Sequence, residues 1–313
     1  MTTADASIHS FTPRRPLGRT GFTATVLGIG DLADRNVPIE QCVATVRRAM
    51  DAGLNVIDTA PGYENGYSEE IVGRALRGRR DGMFLIDKID HLDRPLDEQL
   101  GGSFARLEVE RIDLVVFHAM SSMDNWQMVA AQGGMMEQLA RRVDAGDVRF
   151  RGISSHDPQV LLAAIASGLC EVVMFPVGPY VDERYVQQVL PAARQAGVGT
   201  VCFKTFGAGK LLCDTEGYGR ELTVRPRGKL SSGGQAATPH LPHLDVQQCM
   251  HYTLTCDPDV TLLGMSFPNE QDAAFAAASA FKPLSPAQMA DLRRDAATAI
   301  EGKGRCWWNP EGN

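Results

Sequence analysis

Eight short apolar runs rich in Val and Ile recur along the chain. They are TATVLGIG (23–30), NVIDTA (55–60), MFLIDKI (83–89), DLVVFHA (113–119), VRFRGIS (148–154), EVVMFPV (171–177), GTVCFKTF (199–206) and TLLGMSF (261–267). Each is bounded by Gly, Pro or charged residues and has the length of a buried strand. Between them, apolar positions recur every three to four residues. PIEQCVATVRRAMDAG (38–53) sets Ile39, Val43, Val46 and Met50 on one face and ends at Gly53, as a helix C-cap would. DERYVQQVLPAARQAG (182–197) and VQQCMHYTLTCD (246–257) follow the same pattern, with Pro191 expected to kink or end the opening part of the first.

Strand starts return about every thirty residues, the length of a βα unit. Continuously apolar strands imply parallel pairing with both faces covered. Eight such units predict the α/β class and a closed (β/α)8 TIM barrel, with residues 1–313 as a single domain. An open doubly wound sheet is the competing arrangement. Two regions break the rhythm. Residues 8–22, rich in Gly, Pro and Arg, suggest an N-terminal hairpin plugging one barrel end. Residues 207–243 form a long Gly/Ser/Pro loop after the seventh strand, on the side where barrel enzymes build their active sites.

Composition narrows the partners. With 313 residues the chain is long enough to bury a core without disulfide or metal staples. A formal net charge of −7 argues against a dedicated nucleic-acid binder. Seven cysteines, an odd number with no CxxC spacing, read as reduced structural thiols in the cytoplasm. The opening MTTADASIHSFTPRRP has no apolar stretch after a basic start, so no secretory signal is expected. No run approaches the ~18 apolar residues of a membrane span. A homo-oligomer is compatible with the chain, and the oligomeric state stays open.

The strand ends carry the candidate chemistry. The second run ends near Asp58 with Tyr63 five residues on, the third carries Lys88, and the fourth ends in His118. Three adjacent strands therefore deliver four polar groups to one barrel mouth. A carbonyl reduced by hydride needs a proton on its oxygen, and Tyr can supply it. A free phenol near pKa ~10 is a reluctant acid. A neighbouring ammonium favours its ionisation, so Lys88 is expected to lower it, with Asp58 holding Lys88 in place and charged. His118 can orient the carbonyl by a hydrogen bond. His156 and His91 also lie where they could reach the mouth or serve the scaffold.

NVIDTAPGYENGYSEEIVGRAL (55–76) resembles the signature of the aldo-keto reductase family: Asp-Thr-Ala, then Tyr, then Ser-Glu, then Gly. RPLGRTGFTATVLGIG (15–30) resembles its N-terminal hairpin and first strand, DLVVFHA its strand ending in His, and GDVRFRGISSHDP (146–158) its fifth-strand motif. The similarity spans nearly the whole chain. It implies that Asp58, Tyr63, Lys88 and His118 match the family's catalytic tetrad, that the cofactor is NADP(H) or NAD(H), and that the substrate is a small carbonyl or alcohol compound.

The resemblance also implies cofactor contacts, some of them altered here. Ser154–Ser155 stand where the family commonly has Ser-Asn, and Met174 where it has Gln. Phe203, followed by Lys204, matches the aromatic that stacks on the nicotinamide. After the eighth strand, GMSFPNEQD (264–272) offers Ser266 and Gln271, with Met265 and Gln271 where many NADP-dependent members carry cations. That weakens NADP and leaves NAD open. Gly207 and Lys210, with Arg220, Arg225, Arg227 and Lys229, belong to a loop that often folds over the cofactor in this family. These cations could clamp its phosphates or form a solvated basic loop. GIG (28–30) and GAGK (207–210) lack the spacing of dinucleotide and phosphate loops. The cysteines required by the iron–sulfur region of some relatives are missing as well.

The substrate pocket is expected from the loops after strands one, four and seven and from the tail. Its candidates are Asp31 and Asp34, Met123 and Trp126, and Trp307 and Trp308, the Trp pair serving either as pocket wall or as tail packing. Acidic residues in the first loop hint at hydroxyl-bearing substrates such as sugars. Two rival readings share the fold. One is a cofactor-binding regulatory subunit with little turnover. The other is a metal-dependent hydrolase, for which the first strand supplies no early His pair.

Overall fold

The fold is given by a computed structural model, which describes residues 11–213 and 239–309. Eight parallel strands close into a barrel: β3 (Leu27–Ile29), β4 (Val56–Asp58), β5 (Phe84–Ile89), β6 (Ile112–Phe117), β7 (Val148–Ser154), β8 (Val172–Pro176), β9 (Gly199–Phe203) and β10 (Val260–Leu263). They run in sequence order, and β10 closes the ring onto β3 through Thr261–Leu27, Leu262–Gly28 and Leu263–Ile29. The helices that return the chain are α1 (Ile39–Asp51), α2 (Tyr67–Leu76), α3 (Leu96–Leu107), α4 (Met123–Ala130), α5 (Met135–Ala145), α6 (Pro158–Ser167), α7 (Leu190–Ala196), α8 (Val246–Cys256), α9 (Pro268–Ser279) and α10 (Pro286–Ile300). The expected (β/α)8 TIM barrel is therefore the observed architecture, and the open doubly wound sheet is not. Among the described residues, no helix is long and apolar enough to cross a membrane.

The run at 23–30 is two strands rather than one. β2 (Thr23–Thr25) pairs antiparallel with β1 (Arg14–Pro16), and only β3 joins the barrel. Thr25 causes the break. Its backbone N–H donates to the Asn55 side chain and its hydroxyl donates to the Leu27 carbonyl, which takes the segment out of a continuous ladder. The expected hairpin thus lies at residues 14–25. It seals the end of the barrel where the strands begin. Leu17 and Phe22 pack with Val56, Phe84, Val172 and Val260, the first residues of their strands, and the Phe22 and Phe84 rings lie 4.9 Å apart. Pro191 stands in the first turn of α7, directly after a π-helical turn (Tyr185–Val189), so the opening part of the run ends as a π turn where the proline removes an N–H, in line with the expected break.

Candidate active site

Side-chain alternation carries the barrel interior up to the site. Along β5, Phe84 and Ile86 face inward and Lys88 is the next position of the same parity. On β6, Leu114 and Val116 lead to His118. Val56 leads likewise to Asp58 on β4, and Val201 to Phe203 on β9. The period of two places polar groups on top of an apolar plug, at the C-terminal mouth.

Lys88 is 2% exposed. Its Nζ donates to Asp58 Oδ1 at 2.6 Å and to the Thr59 carbonyl at 2.6 Å, and lies 4.5 Å from the centre of the Tyr63 ring. Burial alone pushes the Asp58 carboxyl up and would push the Lys88 ammonium down. The contact with Asp58 prevails, and Lys88 is held well above the ordinary lysine value. The Tyr63 phenol is pushed upward, because its burial outweighs the pull of Lys88. Lys88 therefore moderates the phenol without bringing it below its ordinary value in the free protein, which corrects the simple expectation of a lowered Tyr63.

The Tyr63 loop is held in an uncommon backbone shape. Glu64, Asn65 and Gly66 all have positive φ, at 51°, 52° and 82°. Arg35 stabilises this turn by donating to the carbonyls of Glu64 and Asn65. A side chain at Gly66 would collide with Arg106 Cδ at 2.6 Å, so glycine is required there on two counts. The signature's other residues serve the frame. Buried Glu69 accepts from Arg106 Nε at 2.5 Å, and a Cβ at Gly73 would lie 2.5 Å from the Leu107 carbonyl oxygen, where α2 meets the end of α3.

His118 stands edge-on to Tyr63, with ring centroids 5.5 Å apart. Its Nδ1 is hydrogen-bonded to Asp90 Oδ1, while Asp90 Oδ2 accepts the Gly62 backbone N–H at 2.5 Å. Asp90 is thus a site residue that the strand-end survey passed over. Its signal is the alternation Ile86–Lys88–Asp90, which continues the inward parity one step beyond β5. Burial raises its carboxyl, but the bonds from His118 and Gly62 win and hold it below the usual carboxylate range.

On the far side of the mouth, Ser154 and Ser155 are buried and bonded within the frame. Ser154 Oγ accepts from Ala119 N at 2.9 Å, and Ser155 Oγ from Asp157 N at 3.0 Å. Met174 faces the barrel interior. His156 lies between Phe203 (5.5 Å) and Trp307 (5.1 Å), and Lys204 Nζ sits 4.4 Å from the Trp307 ring. Burial, then the charges of Lys204 and His118, lowers His156 to about 3 and leaves it neutral. Lys204 has φ 72°, a left-handed conformation that β-carbon residues rarely adopt. Asp31 is half-buried and accepts from Ala33 N at 3.0 Å, and its charge bears on Tyr63. His91 is exposed, its backbone held by Gln99.

Three of the residues expected at the site are held within the frame. Lys210 is 2% exposed and donates to the carbonyls of Lys303 and Arg305, at 2.7 and 2.9 Å, so its ammonium tethers the C-terminal tail. Gln271 is fully buried. It donates to the carbonyls of Thr45 and Met265 and accepts from Arg48, locking α9 onto α1. Trp126 is 4% exposed and packs in the core, sharing the buried face of α4 with Val129 three residues on. The tail tryptophans divide. Trp308 is fully buried and donates to the Tyr180 carbonyl at 3.0 Å, whereas Trp307 is 44% exposed beside His156. Gly207, at φ 54°, opens the short turn after β9, where a Cβ would press on Leu211 at 3.0 Å. Arg220, Arg225, Arg227 and Lys229 lie outside the described residues.

The chain is similar to known proteins in sequence and in fold. Aldo-keto reductase YhdN of Bacillus subtilis is 28% identical over 214 residues, 61% of this chain and 61% of the relative. The NADH-specific methylglyoxal reductase of Escherichia coli is 26% identical over 215 residues, covering 58% of this chain and 64% of the relative. The matched stretch thus spans under two thirds of each relative's own length. Among solved structures, the aldo-keto reductase AKR11C1 from Bacillus halodurans superposes with a TM-score of 0.69 at 22% identity, over 93% of this chain and 99% of that one. The model of the aldo/keto reductase family matches residues 25–294, and the chain belongs to that family.

Proposed function

We propose that this chain, as one barrel domain over residues 1–313, is a nicotinamide-dependent oxidoreductase of small carbonyl and alcohol compounds. The observation that carries this reading is the buried Lys88–Asp58 ion pair set 4.5 Å from the Tyr63 ring at the open end of the barrel. A fully enclosed ion pair adds little to stability, because desolvation offsets most of its attraction. Its placement beside a phenol supports a chemical role.

The cofactor reading is supported by three buried polar atoms that have no partner within the described residues: His156 Nε2, Thr205 Oγ1 and Ser266 Oγ. They follow the C-terminal ends of β7, β9 and β10, one side of the mouth, and would meet a long polar ligand laid across it. Phe203 and His156 would flank the nicotinamide, and Ser266 would meet the adenosine end. The bound cofactor supplies the hydride. Tyr63 gives the proton to the carbonyl oxygen. Lys88 stabilises the phenolate left behind, and Asp58 keeps Lys88 charged and aimed. Asp31, whose charge bears on Tyr63, would accept a hydrogen bond from a substrate hydroxyl beside the carbonyl.

The adenosine end supports NADH over NADPH. At the start of α9, Glu270 accepts the N–H groups of Ser266 and Phe267, which places a carboxylate where a 2′-phosphate would need cations. Arg48 reaches this turn already paired with Asp272 at 2.7 Å. The E. coli relative is named as NADH-specific and as acting on methylglyoxal, which makes that small aldehyde a sensible first substrate. The test is titration of the purified protein with NADH and NADPH by quenching of tryptophan fluorescence, followed by turnover with methylglyoxal and with simple sugars. Saturable binding with turnover is expected. Binding without turnover on any carbonyl or alcohol would point to a regulatory subunit, and binding of neither would overturn the proposal.

A further inference from the structure

The carboxylate of Asp90 touches both halves of the site at once. One oxygen is bonded to His118 Nδ1, and the other accepts the Gly62 N–H next to Tyr63. Asp90 is 14% exposed at its side chain and His118 25%, so the pair lies below the rim, partly screened from water. The space is closed around the bond. A Cβ on Gly62 would stand 2.7 Å from Asp90 Oδ2, so no other residue fits at Gly62 without moving the carboxylate.

A carboxylate accepts and does not donate. His118 Nδ1 must therefore carry the proton in this bond. In the neutral imidazole Nε2 is then left with a lone pair, and a lone pair cannot donate to a carbonyl oxygen. It can only accept, as from an alcohol hydroxyl. With a second proton, both nitrogens donate and Nε2–H can meet a carbonyl. The titratable groups that face His118 are Asp90 from the end of β5, Tyr63 from the loop after β4, and, further off, Asp58 on β4 and His156 after β7. Of these, only Asp90 is hydrogen-bonded to the ring.

We propose that Asp90 is a positioning residue that commits His118 Nδ1 as a donor and so fixes Nε2 as the ring nitrogen presented to the reacting oxygen. By gripping Gly62 with its second oxygen, Asp90 also keeps the Tyr63 loop and the His118 ring in one frame. This rests on the oxidoreductase reading of the site.

The experiment has one arm independent of turnover. Long-range proton–nitrogen correlation on the 15N-labelled full chain identifies the His118 tautomer, with His118→Gln assigning the signal. At high pH the wild type is expected to show Nδ1–H with unprotonated Nε2. Asp90→Asn has one acceptor oxygen for two donors, His118 Nδ1–H and the Gly62 N–H, so it should weaken that tautomer, and Asp90→Ala should lose it. An Nε2–H ring in the wild type, or one unchanged in Asp90→Ala, overturns the proposal whatever the activity. The second arm is the turnover of the Asp90 variants. Asp90→Ala should cut kcat for reduction roughly 10- to 100-fold with cofactor Kd unchanged. If Asp90→Ala does not fold, Gly62→Ala, which displaces the carboxylate, replaces it. Wild-type kcat in Asp90→Ala overturns the positioning role. Absence of all turnover in the wild type, with the tautomer as expected, sinks the enzymatic reading and leaves the positioning geometry standing.

Discussion

Lys88 Nζ lies 4.5 Å from the centre of the Tyr63 ring, over its face. The phenol and the ammonium are therefore placed to exchange electrostatic support while Asp58 holds the ammonium from the other side. Tyr63→Phe keeps the ring, its packing and its edge contact with His118, and deletes only the hydroxyl. Turnover is expected to fall at least ~1000-fold, the scale of a lost proton donor in a preorganised site. Cofactor Kd should stay within about twofold. Near-normal kcat in this variant, measured with the substrate that the wild type turns over best, would remove Tyr63 from the mechanism.

Lys88→Met tests a different link. The phenol is already raised by burial, and without Lys88 nothing opposes that rise. Activity should disappear or survive only with its optimum moved to higher pH. The variant also strands Asp58 as an unpaired buried carboxyl, at a cost of about 3–5 kcal/mol. Lys88→Met with Asp58→Asn removes both charges and should recover most of that stability without recovering turnover. Recovery of turnover in the double variant, followed by Tm and kcat together, would contradict the electrostatic role.

These residues were legible because a strand's period is two and a barrel's chemistry sits at one end. Once Phe84 and Ile86 read as core, Lys88 and His118 had to cap it. Less legible were the residues whose partners come from a distant part of the chain. The sequence marks Lys210 as a cation after β9. It does not mark the path of the C-terminal tail that brings the Lys303 and Arg305 carbonyls to its ammonium. Gln271 looks polar and available, yet the approach of α1 seals it against Thr45. Trp126 was read from its loop position, while its spacing with Val129 already marked it as the buried face of a short helix. Backbone polar groups captured at long range are the information that pattern alone does not hold.

The two tail tryptophans should separate cleanly. Trp308 is enclosed and hydrogen-bonded to Tyr180, so Trp308→Ala is expected to cost about 3–5 kcal/mol and to loosen the tail. Trp307 packs on His156 and Lys204 at the mouth with nearly half its surface in water. Trp307→Ala should leave Tm within a degree or two, raise KM and remove most of the fluorescence quenching by cofactor. Thermal melts and a fluorescence titration of both variants check this. A large stability loss in Trp307→Ala with unchanged KM would make it tail packing only.

Buried Asp87 should give the fold an unusual acid preference. It lies on the outer face of β5, beside the Ser103 hydroxyl and the Lys88 backbone N–H and facing Glu69 from α2 and Arg106 from α3. Burial first, then the charge of Glu69, raises it from 3.8 to about 7. The folded value exceeds the unfolded one, so the native chain holds its proton over a range in which the unfolded chain has released it. Its contribution is complete below about pH 4, is lost as pH rises towards 7, and changes no further above that. Asp87→Asn mimics the protonated form at every pH. It should leave stability at pH 4 nearly unchanged and raise it by about 1–3 kcal/mol at pH 8, flattening the dependence between. Urea melts at a series of pH values measure the difference, and a variant that loses stability at pH 8 would mean that the ionised carboxylate has a partner in solution.

Glu270 offers the most direct handle on cofactor choice. Its carboxylate caps α9 through the Ser266 and Phe267 N–H groups, beside the unpartnered Ser266 hydroxyl. Glu270→Gln keeps an acceptor oxygen for the cap and removes the charge. A 2′-phosphate brought to this turn no longer meets a like charge, and it gains the positive end of the helix. NADPH affinity is expected to rise several-fold while NADH affinity changes by less than about twofold, shifting the ratio of the two Kd values towards NADPH. The comparison must be made at low and at high salt, because the phosphate's attraction to surrounding charge weakens with ionic strength, whereas the effect of buried Glu270 is screened much less. A ratio that does not move at either salt would place the 2′-position away from α9, and the preference for NADH would then have to come from elsewhere in the mouth.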